Sequence, residues 1–409
     1  MSHPALSSVA SCSLAAGLKP ASAAHMAFFK NRNFNLIYVH GALQAIVMYG
    51  GEAFEFVYLL KAGIAPWIVL LVIGLMFGSR VIFRGGVLPL AKRYGLRNAL
   101  VFGILLEAIT YPILSQVTAV GPLLFIHITT VAISSSFYWT SFHAYVSLIG
   151  DAEHRGKQSS AMEFIGMIMG VVAPIMTGTL LTYFNPLVAF GIVGLIMAAS
   201  AIPLLYTPNI AISPDAIVPQ ETRRMARRIM FADGLRAGSF HFTWLIALFI
   251  TLGSSFAVFG GAMSLAGLAG AMMGLMTGKL VDLGKGRRAL QIGFMVLSVA
   301  ILARAFGYAA VWSAVAANVI AVIIWPIYAT ATNSRIYDLA KQSPCPLRYH
   351  IVAEGGWDIG TAIGCLVSAI LIYLGFSYFV PLLVALLGCG LGYWVLTESF
   401  VTARPAKNV

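Results

Sequence analysis

The chain has 409 residues, of which 59% are hydrophobic and 10% carry a charge, and its formal net charge is +12. A soluble domain carries charge on about a quarter of its residues, so this composition excludes a water-soluble protein and indicates a membrane protein. The positive charge does not predict nucleic-acid binding, because the basic residues lie in short loops without interleaved aromatic residues. We interpret the positive charge as a marker of membrane topology and as a means of contact with anionic lipids.

Apolar stretches long enough to span a bilayer as helices, about 20 residues each, recur along the chain. We predict helices over 33–60, 66–90, 97–118, 121–149, 158–182 and 186–206, and then over 229–252, 255–280, 287–307, 311–339, 349–374 and 379–400. The predicted organisation is a disordered tail (1–28), a six-helix bundle (29–206), a proline-containing linker (207–228), a second six-helix bundle (229–400) and a tail (401–409).

Basic residues mark every second connection, and the connections between them are almost uncharged apart from Lys61. This alternation is the pattern of the positive-inside rule. It predicts a multi-pass protein of the cell (inner) membrane with both termini and the linker in the cytoplasm. The clusters are Lys30/Arg32, Lys92/Arg93/Arg97, Arg155/Lys157, Arg223/Arg224/Arg227/Arg228, Lys279/Lys285/Arg287/Arg288, Arg335/Lys341/Arg348 and Arg404/Lys407.

Small residues recur at four-residue spacing in two of the predicted spans. Such spacing lets helix backbones pack closely in lipid, so we predict helix–helix contacts at both places. The residues are Gly166, Gly170, Pro174 and Gly178 in the fifth span, and Gly260, Gly261, Gly267, Gly270 and Gly274 in the eighth.

Two loops, each after the second helix of its half, carry related sequences. The first contains Gly86, Leu88, Gly95 and Arg97, with Leu90 where the second has an acid; the second contains Gly278, Leu280, Asp282, Gly286, Arg287 and Arg288. The pair resembles the loop signature of the major facilitator superfamily. The resemblance implies an all-α membrane protein with twelve transmembrane helices in two six-helix pseudo-repeats, a secondary-transporter architecture. A looser match aligns His40 with Asp233.

The resemblance also implies that these loops act as gates. Asp282 would accept hydrogen bonds from the start of the fifth helix, near 155–160, where the helix dipole favours negative charge. Leu90 cannot do the same, which implies an asymmetric inner gate. The alternative is that the loops only form turns and set the topology.

Two further acids, Glu163 and Glu354, are predicted at similar depths of their helices, each a few residues after a basic residue (Arg155 and Arg348). We predict that both form gate pairs within the protein rather than contacts to a substrate.

Ionisable residues at membrane depth are costly and therefore indicate function. Glu52 and Glu55 share a face of the first helix and are candidates for carrying a coupled proton, the alternative being a polar contact at the outer gate. Arg80, near the midplane of the second helix, is the candidate partner of a buried carboxylate or an anionic substrate. We predict that Arg84 extends to the inner surface.

Other polar residues are candidates for a central cavity. Trp139 and His143 share a face of the fourth helix, with a packed histidine as the alternative; Trp357 and Asp358 lie on the eleventh. Arg236 is either a site residue or a local partner of Asp233 at position i+3. Two lone charges, Glu107 and Arg304, have no partner that the sequence identifies, and Asn318, Trp325, Tyr328, Thr332 and Asn333 form a polar face on the tenth helix.

The sequence contains no nucleotide-binding loop, metal-ligand spacing or nucleophile constellation, so we predict neither an enzyme nor a cofactor other than a coupling ion. We predict H⁺ as that ion, with Na⁺ as the alternative. We expect a monomeric secondary transporter that moves a small organic solute by alternating access, with no nucleic-acid partner. One alternative is a proton-driven efflux antiporter for drugs or metabolites. Another is a lipid-handling or non-transporting membrane protein, which a laterally open, apolar cavity would favour.

Overall fold

The computed structural model describes residues 31–150, 155–212, 217–277 and 287–402, and the regular elements within these ranges are all helices. Most of the two predicted tails therefore lies outside the described residues. In chain order the helices are α1 (Arg32–Val47, Met48–Glu52 and Ala53–Lys61, continuous), α2 (Pro66–Tyr94), α3 (Leu96–Leu114), α4 (Pro122–Ile149), α5 (Arg155–Tyr183), α6 (Pro186–Leu205), α7 (Gln220–Ala237, Gly238–Phe242 and Thr243–Thr251, continuous), α8 (Phe256–Thr277), α9 (Arg287–Gly307), α10 (Val311–Gln342), α11 (Pro346–Tyr373) and α12 (Phe379–Thr402).

Ten of these helices, α2–α6 and α8–α12, are long and apolar enough to cross a membrane. This confirms the all-α membrane fold. Helices α1 and α7 occupy the places predicted for the first and seventh spans, but a π-helical turn interrupts each of them. The linker is shorter than the predicted 207–228, because α7 already begins at Gln220. The segment 221–229 contains neither Gly nor Pro and consists mostly of good helix formers, which explains the early start.

The π turns show the internal repeat directly. Met48–Glu52 and Gly238–Phe242 are each five residues long, and each precedes a nine-residue α-helix. Counting back five residues from each turn pairs Asp233 with Leu43, so the looser match of Asp233 with His40 has the wrong register. π turns are rare and concentrate at functional sites, which directs attention to this level of the molecule.

Helices α1 and α7 also end in the same turn. Gly63 (φ 87°) and Gly253 (φ 73°) adopt the left-handed conformation that favours glycine. The next amide in each case, Ile64 N and Ser254 N, donates to a carbonyl five residues back, that of Leu59 (3.1 Å) and of Phe249 (2.9 Å). This pattern closes the helix in a Schellman motif. We call the side of connections 62–65 and 252–255 the short-loop side, and the opposite side the linker side.

The predicted small-residue packing joins the two halves through α5 and α8. A Cβ atom on Gly178 would lie 2.7 Å from the carbonyl oxygen of Phe256, and one on Gly267 would lie 2.6 Å from that of Gly170. Only glycine allows these backbones to approach so closely. Not every glycine of the pattern takes part, since a Cβ atom on Gly166 or Gly261 would have nothing within 4 Å.

A second glycine row packs α11 against α7 within the C-terminal half. A Cβ on Gly364 would lie 2.6 Å from the carbonyl oxygen of Leu235, one on Gly356 would lie 2.5 Å from that of Arg227, and one on Gly360 would overlap that of Phe231. The row therefore fixes the face that α11 turns towards α7, and with it the direction in which its polar residues point.

We expect Gly360→Ala to destabilise the protein by about 1–3 kcal/mol, because the added methyl group forces two backbones apart. Thermal unfolding of the purified protein in detergent measures the effect. Gly355→Ala is the matched control, since Gly355 lies on the same helix with nothing within 4 Å of its Cβ position. Equal melting temperatures for the two variants would contradict this packing.

Candidate functional site

The centre of the site is an ion cluster that crosses between the two halves. Asp358 of α11 lies 3.1 Å, through Oδ1, from Nε of Arg80, and its Oδ2 accepts a hydrogen bond of 3.0 Å from Nε of Arg84. A second nitrogen of Arg84, Nη2, also donates to Asp358, and Nη1 donates to Thr140 of α4. The Arg80 contact has ion-pair distance without hydrogen-bond geometry.

All three charged side chains of this cluster are buried, with exposed fractions of 4%, 2% and 0% for Arg80, Arg84 and Asp358. The structure thus gives Arg80 the buried carboxylate partner predicted for it. The prediction that Arg84 extends to the inner surface is wrong. Its partner lies on a helix of the other half, more than two hundred residues away, which local sequence cannot indicate.

Asp233 of α7 is the centre of a neighbouring polar cluster. It accepts from Arg236 Nη2 (2.8 Å), from the Tyr328 hydroxyl (2.6 Å) and from Trp357 Nε1 (3.0 Å). The predicted local pair of Asp233 and Arg236 therefore exists, but it is part of a network that also includes α10 and α11. The guanidinium of Arg236 lies 5.3 Å from the ring centres of both Trp325 and Tyr328, close enough for cation–π attraction.

His143 brings the two halves together on the linker side. Its Nε2 lies 3.7 Å from Oε1 of Glu354, and its ring stacks between those of Trp139 (5.7 Å) and His350 (5.5 Å). Ser147 Oγ lies 3.4 Å from His350 Nε2. Glu354 thus forms a pair within the protein, but with a histidine of the other half. Glu163 is exposed on α5, and the side chain of Arg155 lies outside the described residues.

A cavity of about 130 Å³ lies next to these clusters, between α4 of one half and α7, α10 and α11 of the other. Carboxylates, imidazoles and aromatic rings contribute much of its wall. The lining residues are His143, Met230, Asp233, Trp325, Tyr328, Ala329, Thr332, Ile336, His350, Ala353 and Glu354. Of the polar face predicted on α10, Trp325, Tyr328 and Thr332 line this cavity. Asn318 does not, and the side chain of Asn333 lies outside the described residues.

An acidic cluster lies in the N-terminal half, beside the π turn of α1. Glu55 Oε1 lies within hydrogen-bond distance of His127 Nε2 (2.9 Å), and both side chains are buried. Glu52, the last residue of the π turn, and Glu107 of α3 interact electrostatically with each other and with Arg80. Among the described residues, Glu107 Oε2 has no hydrogen-bond partner. His127 was not predicted from the sequence. It is an ionisable residue inside a predicted span, which is the property that identified the other candidate residues.

Arg304, the second lone charge of the sequence, is buried in the C-terminal half. Its Nη2 donates to Asn318 Oδ1 (3.2 Å), and its Nη1 donates to the carbonyl of Phe240 in the second π turn (3.3 Å). The indole of Trp244 donates to the same Asn318 oxygen at 2.9 Å. Arg304 therefore supplies a hydrogen-bond donor to a backbone carbonyl of the second π turn.

Phenylalanine rings close the short-loop side between the halves. Phe54 packs on Phe259 (5.3 Å between ring centres), and Phe56 packs on Phe242 (5.6 Å). We call Phe54, Phe56, Phe242, Phe249, Phe256 and Phe259 the aromatic layer; all six are buried. Above it, Lys61 Nζ donates to the carbonyl of Ser254 at 3.0 Å.

The first loop motif has a structural role in this conformation. Gly95 has a φ of 89°, and Arg97 Nη1 donates to the carbonyls of Leu205 (3.1 Å) and Thr207 (2.9 Å), which anchors the end of α6. Gly86 lies against Phe137 of α4. In the second motif Gly278, Asp282 and Gly286 lie outside the described residues, as does the predicted latch of Asp282, while Arg287 and Arg288 are exposed at the start of α9.

Two helical halves with an internal repeat, meeting around a polar cavity at membrane depth, are the architecture of a secondary transporter. The comparison with protein families agrees, since the model of the Major Facilitator Superfamily matches residues 63–344. The chain belongs to this superfamily.

Similar solved structures include two transporters of the POT family. One, in complex with 5-aminolevulinic acid, has a TM-score of 0.69 and 13% identity, covering 92% of this chain and 98% of that one. The other, in complex with a thioalcohol-conjugated peptide, has the same TM-score and identity and covers 91% and 97%. At this identity the likeness shows the shared fold alone. No curated protein matches the chain.

We expect Asp358→Asn to destabilise the folded protein by about 3–5 kcal/mol, because it leaves two buried guanidinium groups without a compensating charge. Thermal or denaturant unfolding in detergent measures the loss. Glu398→Gln is the control: the Arg228–Glu398 pair (3.0 Å) is about one-third exposed, so its loss costs at most about 1 kcal/mol. A loss for Asp358→Asn no larger than that of the control would show that the cross-half cluster does not stabilise this conformation.

Proposed function

We propose that this transporter carries a small organic solute through the cavity between its halves by alternating access, coupled to the movement of protons. The observation that carries the proposal is the cavity itself. His143 of the N-terminal half lines it opposite acids, a histidine and aromatic rings of the C-terminal half, and the aromatic layer separates it from the short-loop side. A polar lining suits a water-soluble ligand better than a lipid, which disfavours the lipid-handling alternative.

Contacts between the halves on both sides of the cavity support a rocking motion. On the short-loop side they are the aromatic layer and the Lys61–Ser254 hydrogen bond; on the linker side they are His143–Glu354 and Ser147–His350. Within the described ranges these two linker-side contacts are long, at 3.7 and 3.4 Å, and the His143 side chain is partly exposed. Separating these two pairs therefore breaks weaker interactions than separating the rings of the aromatic layer.

The acidic cluster supports proton coupling. Glu52 and Glu55 lie on α1 on either side of the end of the π turn, and Glu107 adds a third carboxylate near Arg80. Acidic side chains inside a membrane span are the groups from which proton relays of transporters are built. Gain or loss of a proton changes the charge facing Arg80, which belongs to the ion cluster that joins the halves.

The substrate class can be sought with probes that carry both an amino and a carboxyl group. The two similar POT-family structures are described in complex with 5-aminolevulinic acid and a conjugated peptide. The cavity of this chain has Asp233 and Glu354 in its wall, and Arg236 donates a hydrogen bond to Asp233. A thermal-shift screen of the purified protein identifies ligands, because a compound that binds only the folded state raises its melting temperature.

We expect Glu52→Gln or Glu55→Gln to abolish accumulation driven by a pH gradient while leaving exchange of substrate intact, because the neutral side chain no longer binds and releases a proton. Proteoliposomes containing each variant, with a ligand from the screen, measure both activities. Glu398→Gln is the control for loss of an acid outside the site. Full pH-driven accumulation by both variants would contradict a proton site on α1.

We also propose an inner-membrane location with both termini and the linker in the cytoplasm, on the basis of the alternating basic clusters. In a variant without native cysteines, a membrane-impermeant thiol reagent added outside is expected to label single cysteines near Gly121 or Asn185 and to spare one at Arg224. Permeabilised cells control for accessibility. The reverse labelling pattern would contradict this orientation.

A further inference from the structure

A second concave site lies on the outer surface of the C-terminal half, away from the cavity between the halves. It is a groove of about 180 Å³ between α7, α11 and α12. Its wall is apolar along most of its length, with Phe231, Ile359, Leu391 and Val395 contributing side chains, and Gly356 forming part of the floor. Ile359 is 39% exposed although it lies in a helix of membrane-spanning length. The groove therefore faces the acyl chains of the bilayer.

Two arginines, Arg227 and Arg228, close one end of the groove. Arg228 pairs with Glu398 of α12 at 3.0 Å, whereas Arg227 is exposed and forms no ion pair or hydrogen bond within the described part of the chain. Arg223 and Arg224 lie one helical turn before them on the same face of α7. Apart from Glu398, which pairs with Arg228, no acid of the described ranges pairs with the arginines at this end of the groove, so it presents net positive charge.

The polar and apolar residues of α7 and α12 have the same order along the membrane normal. On α7, Arg227 and Arg228 come about 4–6 Å nearer the linker side than Phe231; on α12, which runs the opposite way, Glu398 comes nearer that side than Val395 and Leu391. Trp394 is 57% exposed, and Arg228 lies 4.9 Å from its ring centre. A tryptophan beside a basic residue is typical of the headgroup level of a membrane.

We propose that this groove binds an anionic phospholipid, with one acyl chain against Phe231, Ile359 and Leu391 and the phosphate group at Arg227 and Arg228. Charge complementarity selects the headgroup, since a zwitterionic lipid carries a cation that the arginines disfavour. The apolar wall continues from the basic end towards the membrane interior, which suits a phosphate joined to a chain rather than a free anion. This site is separate from the transport cavity and does not depend on the proposed substrate or coupling ion.

The headgroup is tested by titrating the purified full chain, in a neutral detergent, with dioleoyl phosphatidylglycerol and with dioleoyl phosphatidylcholine, and measuring binding by native mass spectrometry. We expect tighter binding of phosphatidylglycerol, and an approximately fivefold loss for Arg227→Gln, equivalent to about 1 kcal/mol per basic residue at the surface. Arg223→Gln, one turn outside the groove, is the matched control and is expected to keep most of the affinity. Equal binding of the two lipids would overturn the selection of an anionic headgroup, and equal losses in the two variants would overturn the site in favour of unspecific attraction to a basic surface.

The acyl-chain part is tested by filling the groove. Leu391→Trp is expected to weaken phosphatidylglycerol binding, whereas Leu387→Trp, one turn away on the same helix and outside the groove, is not. Ile359→Phe provides a second filled variant should Leu391→Trp fold poorly. If a folded variant with a filled groove binds phosphatidylglycerol with unchanged affinity, the acyl chain does not lie in the groove, and the proposal is overturned. Inorganic phosphate that competes as well as the lipid at equal concentration would show that the arginines bind a free anion instead.

Discussion

The arrangement of the site depends on one interaction, the contact of two buried guanidinium groups with the single carboxylate of Asp358. Removing three charges from water is costly, and their attraction repays that cost only when the geometry is good and the remaining donors are satisfied. Thr140 satisfies one donor of Arg84, and Arg80 lies 4.9 Å from the ring centre of Phe77. Because Arg80 and Arg84 belong to one half and Asp358 to the other, these contacts also set how the halves face each other.

Trp357, the residue before Asp358 on α11, connects the ion cluster to the cavity. Trp357 packs on Phe77 of the N-terminal half and donates its indole hydrogen to Asp233 of the C-terminal half. Asp233 in turn holds Arg236 and Tyr328 beside the cavity. A ligand that displaces any of these partners therefore changes contacts that reach the interface between the halves. This is the kind of physical connection that coupling of ligand binding to a conformational change requires.

Sequence patterns predicted the fold well because they report local properties. Apolar length located the spans, and glycine or proline located the connections, as at Gly63, Pro122 and Pro186. The patterns failed where the outcome depends on a residue far away in the chain. Arg84 was placed at the surface because nothing near it in sequence shows Asp358, and His127 was overlooked because its partner, Glu55, is on another helix. The π turns were not predicted either; in the structure Gly50 and Gly51 of the first turn pack against α5 and α6, and Gly238 of the second packs against α11.

The charges around the interface also explain how a buried ion cluster can exist in a protein whose two halves move apart. Three cations (Arg80, Arg84 and Arg236) and three carboxylates (Asp233, Glu354 and Asp358) lie around the interface of the halves, so the set is close to neutral when they are packed together. If the halves separate and water enters, the charges that pair across the interface lose attraction but regain hydration, and these two terms oppose each other, while Asp233 and Arg236 of α7 stay paired. The aromatic layer has no such compensation, because exposing its rings to water only costs free energy. The energetic barrier to opening on the short-loop side should therefore reside mainly in the phenylalanines and much less in the ion pairs.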